Sequence, residues 1–336
     1  MKNKRSFVYK SDVCKAKRSR VNPFDDETHA TELMMEDEEW VTASTTFFEF
    51  AERKIEQLNN DGRYGTARNR NSVIRRFREF RGGKDCFAWE MTPEMMEKFE
   101  RKLKAKGNCR NTTSFYLRTL RTIYNQTLDL GLAHNPNIFN NVYTGIDKTS
   151  KRAIKADKIS NLRNMNVKVW EKLEFTRDLF MFSFYTRGMS FIDMAFLRKT
   201  DLRDGVLTYC RHKTLQLISI KWEKEMDDIV KRHPSDNEFL LPLIRGKGDE
   251  FRKYRNAMML NNRRLKLLGR MLHLETPISF YTARHSWATI AHHCDIPISV
   301  ISRALGHSSE RNTQIYLESI QSEQVDEANR KIIRLL

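Results

Sequence analysis

Residues 281–316 read YTARHSWATIAHHCDIPISVISRALGHSSERNTQIY, and this stretch decides the fold of the second half of the chain. Its hydrophobic pattern predicts three helices, over 281–294, 297–305 and 309–320. Gly306 follows the second helix, at the position where a glycine commonly ends a helix. The stretch therefore combines a helical framework with three chemically capable side chains, Arg284, His307 and Tyr316.

The same helical pattern extends over most of the chain, and the composition supports it. The 336 residues include 13 Gly and 7 Pro, about half the usual share, which disfavours turn-rich all-β architectures. One helix shows clear boundary signals, with Thr92 as N-cap and a stop at Gly107. The spacing of hydrophobic residues changes from a helical to a strand-like pattern at residues 205–210 and 215–222, which predicts two strands around a turn. We therefore expect a mainly α fold whose second, α+β domain carries a small β-hairpin or sheet.

The chain divides into four predicted segments. Residues 1–41 hold a basic arm followed by an acidic strip and are expected to be flexible. Residues 42–135 contain four amphipathic helix patterns, which predict a compact helical domain. Residues 136–160 are basic with little periodicity and predict a linker, and residues 161–336 form the second domain.

The charge balance predicts a polyanionic partner. Lys and Arg number 60 against 43 Asp and Glu, which gives a formal net charge of +17 and a pI near 9.7. Such a surface gains free energy by displacing counterions from phosphates, so we expect nucleic-acid binding. An ordinary solvated face is the alternative interpretation of the basic helices. The candidate phosphate contacts in the first domain and the linker are Arg68, Arg75, Arg78, Arg118, Arg121, Lys151 and Arg152.

Five pieces of the second half, taken in order, resemble the motifs of one family. They are residues 186–193 (TRGMSFID), 211–214 (RHKT), 281–289 (YTARHSWAT), 305–309 (LGHSS) and 313–316 (TQIY). This order is similar to that of tyrosine recombinases of the phage-integrase family, of the kind found in Bacteroides-type bacteria, and the resemblance covers roughly residues 42–330. It implies that 42–135 is a helical core DNA-binding domain and that 161–336 is a catalytic domain.

The resemblance also implies a role for each matched residue. Tyr316 would be the nucleophile, Arg284 a phosphate clamp, His307 a hydrogen-bond donor to the phosphate and Lys213 the general acid. These types suit the chemistry, because guanidinium and imidazole donors stabilise the charge that a phosphodiester gathers during attack. A phenolic nucleophile stores the energy of the broken bond in a phosphotyrosine. We therefore expect no cofactor, neither ATP nor a metal.

Two positions depart from the family pattern. Ser190 stands where the first motif usually has an arginine. Arg187 lies three residues earlier, and if this segment is helical it shares a face with residue 190 and could reach the same phosphate. Tyr281 stands where the second box commonly has a histidine, and a phenol is a poor base near neutral pH.

The expected function is site-specific cleavage and rejoining of DNA through a 3′-phosphotyrosyl intermediate, in DNA inversion or in integration and excision. The short N-terminal segment favours an invertase-like enzyme. The implied partners are double-stranded DNA with inverted-repeat core sites and further copies of the chain, as a homo-tetramer on paired sites and a monomer or dimer otherwise. An accessory DNA-bending protein is also possible. With no apolar run of membrane length and no signal core, we expect a cytoplasmic, nucleoid-associated protein.

Three alternatives remain open at this point. A non-catalytic DNA-binding relative would explain Ser190 and Tyr281. A type IB topoisomerase would share the nucleophile chemistry without site specificity. A zinc site built from His285, His292, His293 and Cys294 is disfavoured, because no second Cys/His pair supports it.

Overall fold

The computed structural model describes residues 40–147, 153–307, 309–311, 313–314 and 333, which fall into two compact units divided between residues 147 and 153. The described residues form eleven α-helices and one three-stranded antiparallel sheet. The prediction of a mainly α fold with a small sheet is therefore confirmed. None of the helices in these ranges has both the length and the apolar character needed to cross a membrane.

The first unit is built from four helices. They are α1 (Phe47–Asn60), α2 (Tyr64–Phe80), α3 (Pro93–Ala105) and α4 (Arg110–Asp129). Helix α3 begins as predicted, because the Thr92 hydroxyl accepts a hydrogen bond from the Met95 N–H at 3.2 Å. It ends as predicted too, since Gly107 has a φ of 78° directly after the C-cap.

Aromatic side chains fill the core of this unit. Phe77 of α2 packs edge-on against Phe47 and Phe99, with ring centroids 6.1 and 5.1 Å apart. The core extends beyond residue 135, because Phe139 packs against Tyr124 at 5.9 Å and is buried. Part of the segment 136–160, which we expected to be a linker, therefore belongs to the first unit.

The second unit is arranged around one buried helix. Its helices are α5 (Ala156–Asn164), α6 (Glu171–Tyr185), α7 (Phe191–Ala195), α8 (Lys224–Arg232), α9 (Glu250–Met271), α10 (Phe280–His293) and α11 (Ile298–Leu305). Helix α6 packs against α5, α8, α9 and α10, and Leu179, Phe180 and Phe182 are fully buried. Every residue of α6 from 176 to 183 is buried, on whichever side of the helix it lies, so α6 forms the centre of this unit.

The sheet consists of β1 (Leu202–Arg203), β2 (Val206–Cys210) and β3 (Leu217–Lys221), paired antiparallel in chain order. The second predicted strand starts at residue 217 rather than 215, because residues 211–216 form a tight turn. The Arg211 N–H donates to the Gln216 carbonyl, and the Leu215 N–H donates to the Arg211 carbonyl, both at 2.8 Å. This turn lies beside the end of α11, where the Thr214 hydroxyl donates to the Gly306 carbonyl at 3.2 Å.

Candidate functional site

The candidate site is organised by the chain reversal after α11. Gly306 has a φ of 60° and ends the helix in the left-handed conformation. The His307 N–H then donates to the Ser302 carbonyl at 3.1 Å. The carbonyl oxygens of Leu305 and Gly306 each accept a hydrogen bond from an arginine of another element. The reversal therefore gathers two guanidinium groups and one imidazole.

Arg284 is the first of these arginines and is only 3% exposed. It lies on α10, and its two Nη atoms donate to the Gly188 carbonyl at 3.0 Å and to the Leu305 carbonyl. Its Nε is buried and has no hydrogen-bond partner in the described part of the chain. Gly188, with a φ of 73°, makes the approach possible, because a Cβ there would lie 2.5 Å from the Arg284 Cα.

Arg211 is the second arginine and was not among the residues that we selected from the sequence. It directly follows β2, is 7% exposed and donates from Nη1 to the Gly306 carbonyl. The one clue in the sequence was its position two residues before Lys213. Its burial, which distinguishes it from other arginines, becomes visible only in the folded turn. Arg211 and Arg284 are thus bound to consecutive carbonyl groups of one reversal.

The two guanidinium groups lack a direct acidic partner. Neither makes an ion pair within 4.0 Å in the described residues. The carboxylate of Asp193 lies near both, but its oxygens accept hydrogen bonds from the Ser190 hydroxyl at 2.7 Å and the His212 N–H at 2.8 Å. Burial, reinforced by the charge of Arg211, lowers the pKa of Arg284 to about 10, so Arg284 stays charged at neutral pH. The site therefore holds excess buried positive charge, which favours an anionic ligand.

His307 is held in a defined orientation. Its Nδ1 is 2.8 Å from the hydroxyl of Thr313, which is fully buried. Its carbonyl accepts a hydrogen bond from the Gln216 side chain at 3.2 Å. Burial and the charges of Arg284, Arg211 and Lys213 lower the pKa of His307 to about 4. His307 is consequently a neutral imidazole at pH 7, which offers a hydrogen bond rather than a charge.

Lys213 lies exposed on the turn between β2 and β3. Two hydrogen bonds fix this turn: the Thr214 hydroxyl donates to the Gly306 carbonyl, and the His212 N–H donates to the Asp193 carboxylate. Leu215 has a φ of 56°, a left-handed conformation that costs a non-glycine residue roughly 1–2 kcal/mol. The ammonium group of Lys213 is therefore carried on a fixed backbone next to the reversal.

The first motif does not form the helix that would carry Arg187 and residue 190 on one face. Helix α6 ends at Tyr185, and Arg187 and Gly188 have φ values of 61° and 73°. The Arg187 side chain instead donates to the Ser219 carbonyl of β3 at 3.4 Å. Ser190 acts as N-cap of α7, where its hydroxyl binds Asp193. The helical basis of the expected compensation by Arg187 is therefore wrong.

Tyr281 lies at the start of α10 and is 55% exposed. Its ring packs edge-on against His285, with centroids 4.5 Å apart. Desolvation raises the pKa of Tyr281, against the opposing charges of Arg284 and Arg211. Tyr281 and Arg284 both line a largely apolar cavity of about 230 Å³ together with Ser190. The phenol is thus close to the arginines but cannot replace an imidazole base.

The basic candidates of the first unit have different environments. Arg68 and Arg75 are exposed on α2 along a polar groove of about 360 Å³, and neither has a hydrogen-bond or ion-pair partner in the ranges described. Arg78 instead donates to Glu52 at 2.6 Å and covers the Phe48 ring at 4.6 Å. The charge of Arg78 is therefore already balanced.

On α4, Arg118 has a buried Nε with no partner among the described residues, and Arg121 donates to the Thr144 hydroxyl at 3.1 Å. Lys151, Arg152 and Tyr316 lie outside the described residues. Within the described ranges, no three His, Cys, Asp or Glu side chains are grouped so that they could hold a metal ion.

Two protein-family models match the sequence of this chain. The model of the phage integrase SAM-like domain matches residues 46–142, and the model of the phage integrase family matches residues 198–323. No curated protein matches the chain.

Solved structures share the fold at low sequence identity. A lambda integrase dimer bound to a COC′ core site has a TM-score of 0.61 and 16% identity, covering 81% of this chain and 95% of that chain. The Tn1549 transposon integrase in complex with a circular intermediate DNA has a TM-score of 0.60 and 15% identity, covering 84% and 100%. A lambda integrase tetramer bound to a Holliday junction has a TM-score of 0.59 and 16% identity, covering 89% and 87%. With family models matched in both units and this fold throughout, the chain belongs to the phage integrase family of tyrosine recombinases.

Proposed function

We propose that this chain is a site-specific DNA recombinase that cleaves and rejoins strands through a 3′-phosphotyrosyl intermediate on Tyr316. The observation that carries the proposal is the buried guanidinium of Arg284, which has no carboxylate partner in the described residues and lies at the same reversal as the neutral imidazole of His307. Excess buried charge of this kind stabilises an anion whose negative charge grows during attack, as a phosphodiester does.

In the proposed step, the Tyr316 phenol releases its proton to water, its oxygen attacks the scissile phosphorus, and the bond from phosphorus to the 5′ oxygen breaks. Arg284 and His307 donate hydrogen bonds to the non-bridging oxygens, and Lys213 gives its proton to the departing 5′ oxygen. The products are a 3′-phosphotyrosyl linkage and a free 5′ hydroxyl. Attack by the 5′ hydroxyl of another strand reverses the step: its proton returns to Lys213, and Tyr316 is released and takes a proton back from water.

The solved neighbours support a DNA partner and an assembly of several copies. They were solved as a dimer on a core site and as a tetramer on a Holliday junction. We propose that this chain likewise acts on double-stranded DNA as a tetramer on paired sites. Arg68 and Arg75, which are exposed along one groove and have no partner among the described residues, are the proposed phosphate contacts of the first unit.

The test captures covalent protein–DNA adducts. The full chain is incubated with genomic DNA of its host, denatured, and the DNA that remains attached is sequenced. We expect discrete sites for the wild type and for the control Tyr143→Phe in the other unit, and no adduct for Tyr316→Phe. A wild type without adduct, or equal trapping by Tyr316→Phe, would overturn the proposal.

The sequenced sites also separate the alternatives. Adducts scattered without a shared sequence would favour a topoisomerase, and site-specific binding without adduct would favour a non-catalytic relative. Inverted sites on either side of one segment would indicate inversion. A site paired with the end of a mobile element would indicate integration.

A further inference from the structure

The active site has one arginine fewer than its family's pattern in the first motif, where residue 190 is a serine. The Ser190 hydroxyl is engaged with Asp193 at 2.7 Å and caps α7, so this position supplies no charge. Arg187 is directed to the Ser219 carbonyl of β3. A phosphate site with Arg284 as its only buried guanidinium would lose one donor for the developing charge, unless another element provides it.

Arg211 occupies the place from which this donor can come. It and Arg284 bind the carbonyls of consecutive residues, Gly306 and Leu305, and the charge of Arg211 is close enough to act on the Arg284 guanidinium. Gly306 leaves room for this packing, since a Cβ at that position would lie 2.6 Å from the Ile218 Cδ1 and 3.2 Å from the Arg211 Cδ. The bond to Gly306 uses one of the five N–H donors of the side chain.

The charge of Arg211 is not needed for the local structure. The Gly306 carbonyl also accepts a hydrogen bond from the Thr214 hydroxyl at 3.2 Å, so a neutral donor already satisfies it. Burying a second cation beside Arg284 is electrostatically unfavourable. Besides desolvation, the charge of Arg211 lowers the pKa of Arg284, and the charges of both arginines lower the pKa of His307. Asp193 is one carboxylate against two buried cations. An anionic ligand would remove this imbalance.

We propose that Arg211 contacts the scissile phosphate beside Arg284 and supplies, from the β2–β3 turn, the guanidinium that residue 190 lacks. The proposal rests on the proposed recombinase function, since it names a further group that stabilises the same transition state. The functional arginine has thus moved in sequence from the first motif to the turn that carries Lys213. Arg211 and Lys213 would then act on the same phosphate: Arg211 stabilises its negative charge, and Lys213 protonates the departing oxygen.

A first experiment measures anion binding without any cleavage. The full chain is unfolded thermally in inorganic phosphate and in chloride of equal ionic strength. We expect phosphate to raise the unfolding midpoint of the wild type and of the control Arg203→Gln, an exposed arginine of β1 that donates to the Thr200 carbonyl, and to raise that of Arg211→Gln much less. An undiminished phosphate effect in Arg211→Gln would overturn the proposal. If Arg211→Gln does not fold in chloride, Arg211→Lys replaces it, with a partial loss expected.

A second experiment measures cleavage of the duplex that gives most adduct in the capture assay. One version carries a methylphosphonate at the scissile position, which lacks the negative charge of the phosphate. We expect Arg211→Gln to slow adduct formation about 100- to 1000-fold on the phosphodiester and about tenfold or less on the methylphosphonate. Tyr316→Phe should cleave neither. Equal slowing on both duplexes indicates a merely structural role and overturns the proposal.

The two experiments distinguish failure of this inference from failure of the proposed function. If the wild type forms no adduct on any DNA, but phosphate stabilises it and stabilises Arg211→Gln much less, the recombinase proposal fails and Arg211 is still shown to bind the anion. If the wild type forms adduct and Arg211→Gln matches its rate, the recombinase proposal stands and the inference fails.

Discussion

The two units hold their arginines in opposite ways. In the first unit Arg68 and Arg75 project into solvent, where each keeps its hydration and is free to meet a phosphate. In the second unit Arg211 and Arg284 are 7% and 3% exposed and donate to backbone carbonyls without an ion-pair partner in the described residues. The comparison teaches that the number of basic residues indicates a polyanionic partner, whereas burial without a balancing carboxylate indicates where the chemistry occurs.

The energetic consequences differ as well. An exposed arginine costs the fold little and contributes to DNA binding in a salt-dependent way. A buried cation has lost its hydration, and a second one beside it adds repulsion. We therefore expect substitutions in the two units to separate binding from catalysis.

The largest effect is expected for Arg284→Gln. Removing a preorganised donor of the transition state should slow adduct formation by about 100- to 1000-fold, or about 3–4 kcal/mol. DNA affinity, measured by fluorescence anisotropy, should change by only a few-fold, because one buried contact among many phosphate contacts is lost. The matched variant Arg75→Gln should weaken binding and leave the cleavage rate at saturating DNA unchanged. If Arg284→Gln lost DNA affinity and cleavage rate by similar factors, the expected separation of binding from catalysis would be wrong.

A backbone variant tests the close packing behind the buried pair. Gly188→Ala introduces a Cβ 2.5 Å from the Arg284 Cα at a φ of 73°, and should destabilise the protein by about 2–4 kcal/mol. The control is Gly205→Ala, which has a similar φ of 70° but nothing within 4 Å of the new Cβ. It should cost about 1 kcal/mol. Equal free energies of unfolding in urea would show that the contact with Arg284 is unimportant.

The exposed arginines give a smaller, salt-dependent effect. Arg68→Ala and Arg75→Ala should each weaken binding to duplex DNA and reduce the slope of log affinity against log salt by about 1. Arg78→Ala is the matched control on the same helix, since its charge is paired with Glu52 at 2.6 Å. It should leave the slope unchanged. A slope that falls equally in Arg78→Ala would contradict the assignment of α2 as a selective contact surface.

The smallest effect concerns pH. The pKa of His307 is about 4 in the folded protein and near 6.5 when unfolded, so the unfolded state binds the proton first as pH falls. The stability linked to His307 is therefore fully present above pH 6.5 and is lost between pH 6.5 and 4, by an amount of order 1 kcal/mol after screening by solvent. His307→Gln should lose less stability over this range. A free-energy difference between the two proteins that does not vary with pH would contradict the burial of the imidazole.

The sequence predicted what depends on local chemistry. Thr92 and Gly107 marked the ends of α3 because caps and left-handed glycines act within one turn of a helix. Gly306 likewise marked the end of α11. Arg211 could not be selected in this way, because its importance comes from burial against the Gly306 carbonyl, a contact between residues 95 positions apart. The fold therefore followed from local patterns, whereas the charge arrangement of the site followed from packing.

The first motif shows the limit of extending a helix across a glycine. The expectation for Arg187 assumed helical spacing, and the left-handed φ values of Arg187 and Gly188 break that spacing. Gly188 serves the approach of Arg284 instead. Thr313, which orients His307 from three residues before Tyr316, was likewise visible in the sequence only as part of a motif.

The most direct test of the central claim is to identify the residue that becomes linked to DNA. Wild-type adduct is denatured, digested with nuclease and trypsin, and examined by mass spectrometry. The expected tryptic peptide covers residues 312–330 and contains a single tyrosine, Tyr316. We predict that this peptide carries the residual nucleotide on Tyr316, joined through its 3′ phosphate. A nucleotide on any other residue, or adduct-free peptide in a reaction that exchanges strands, would contradict the account.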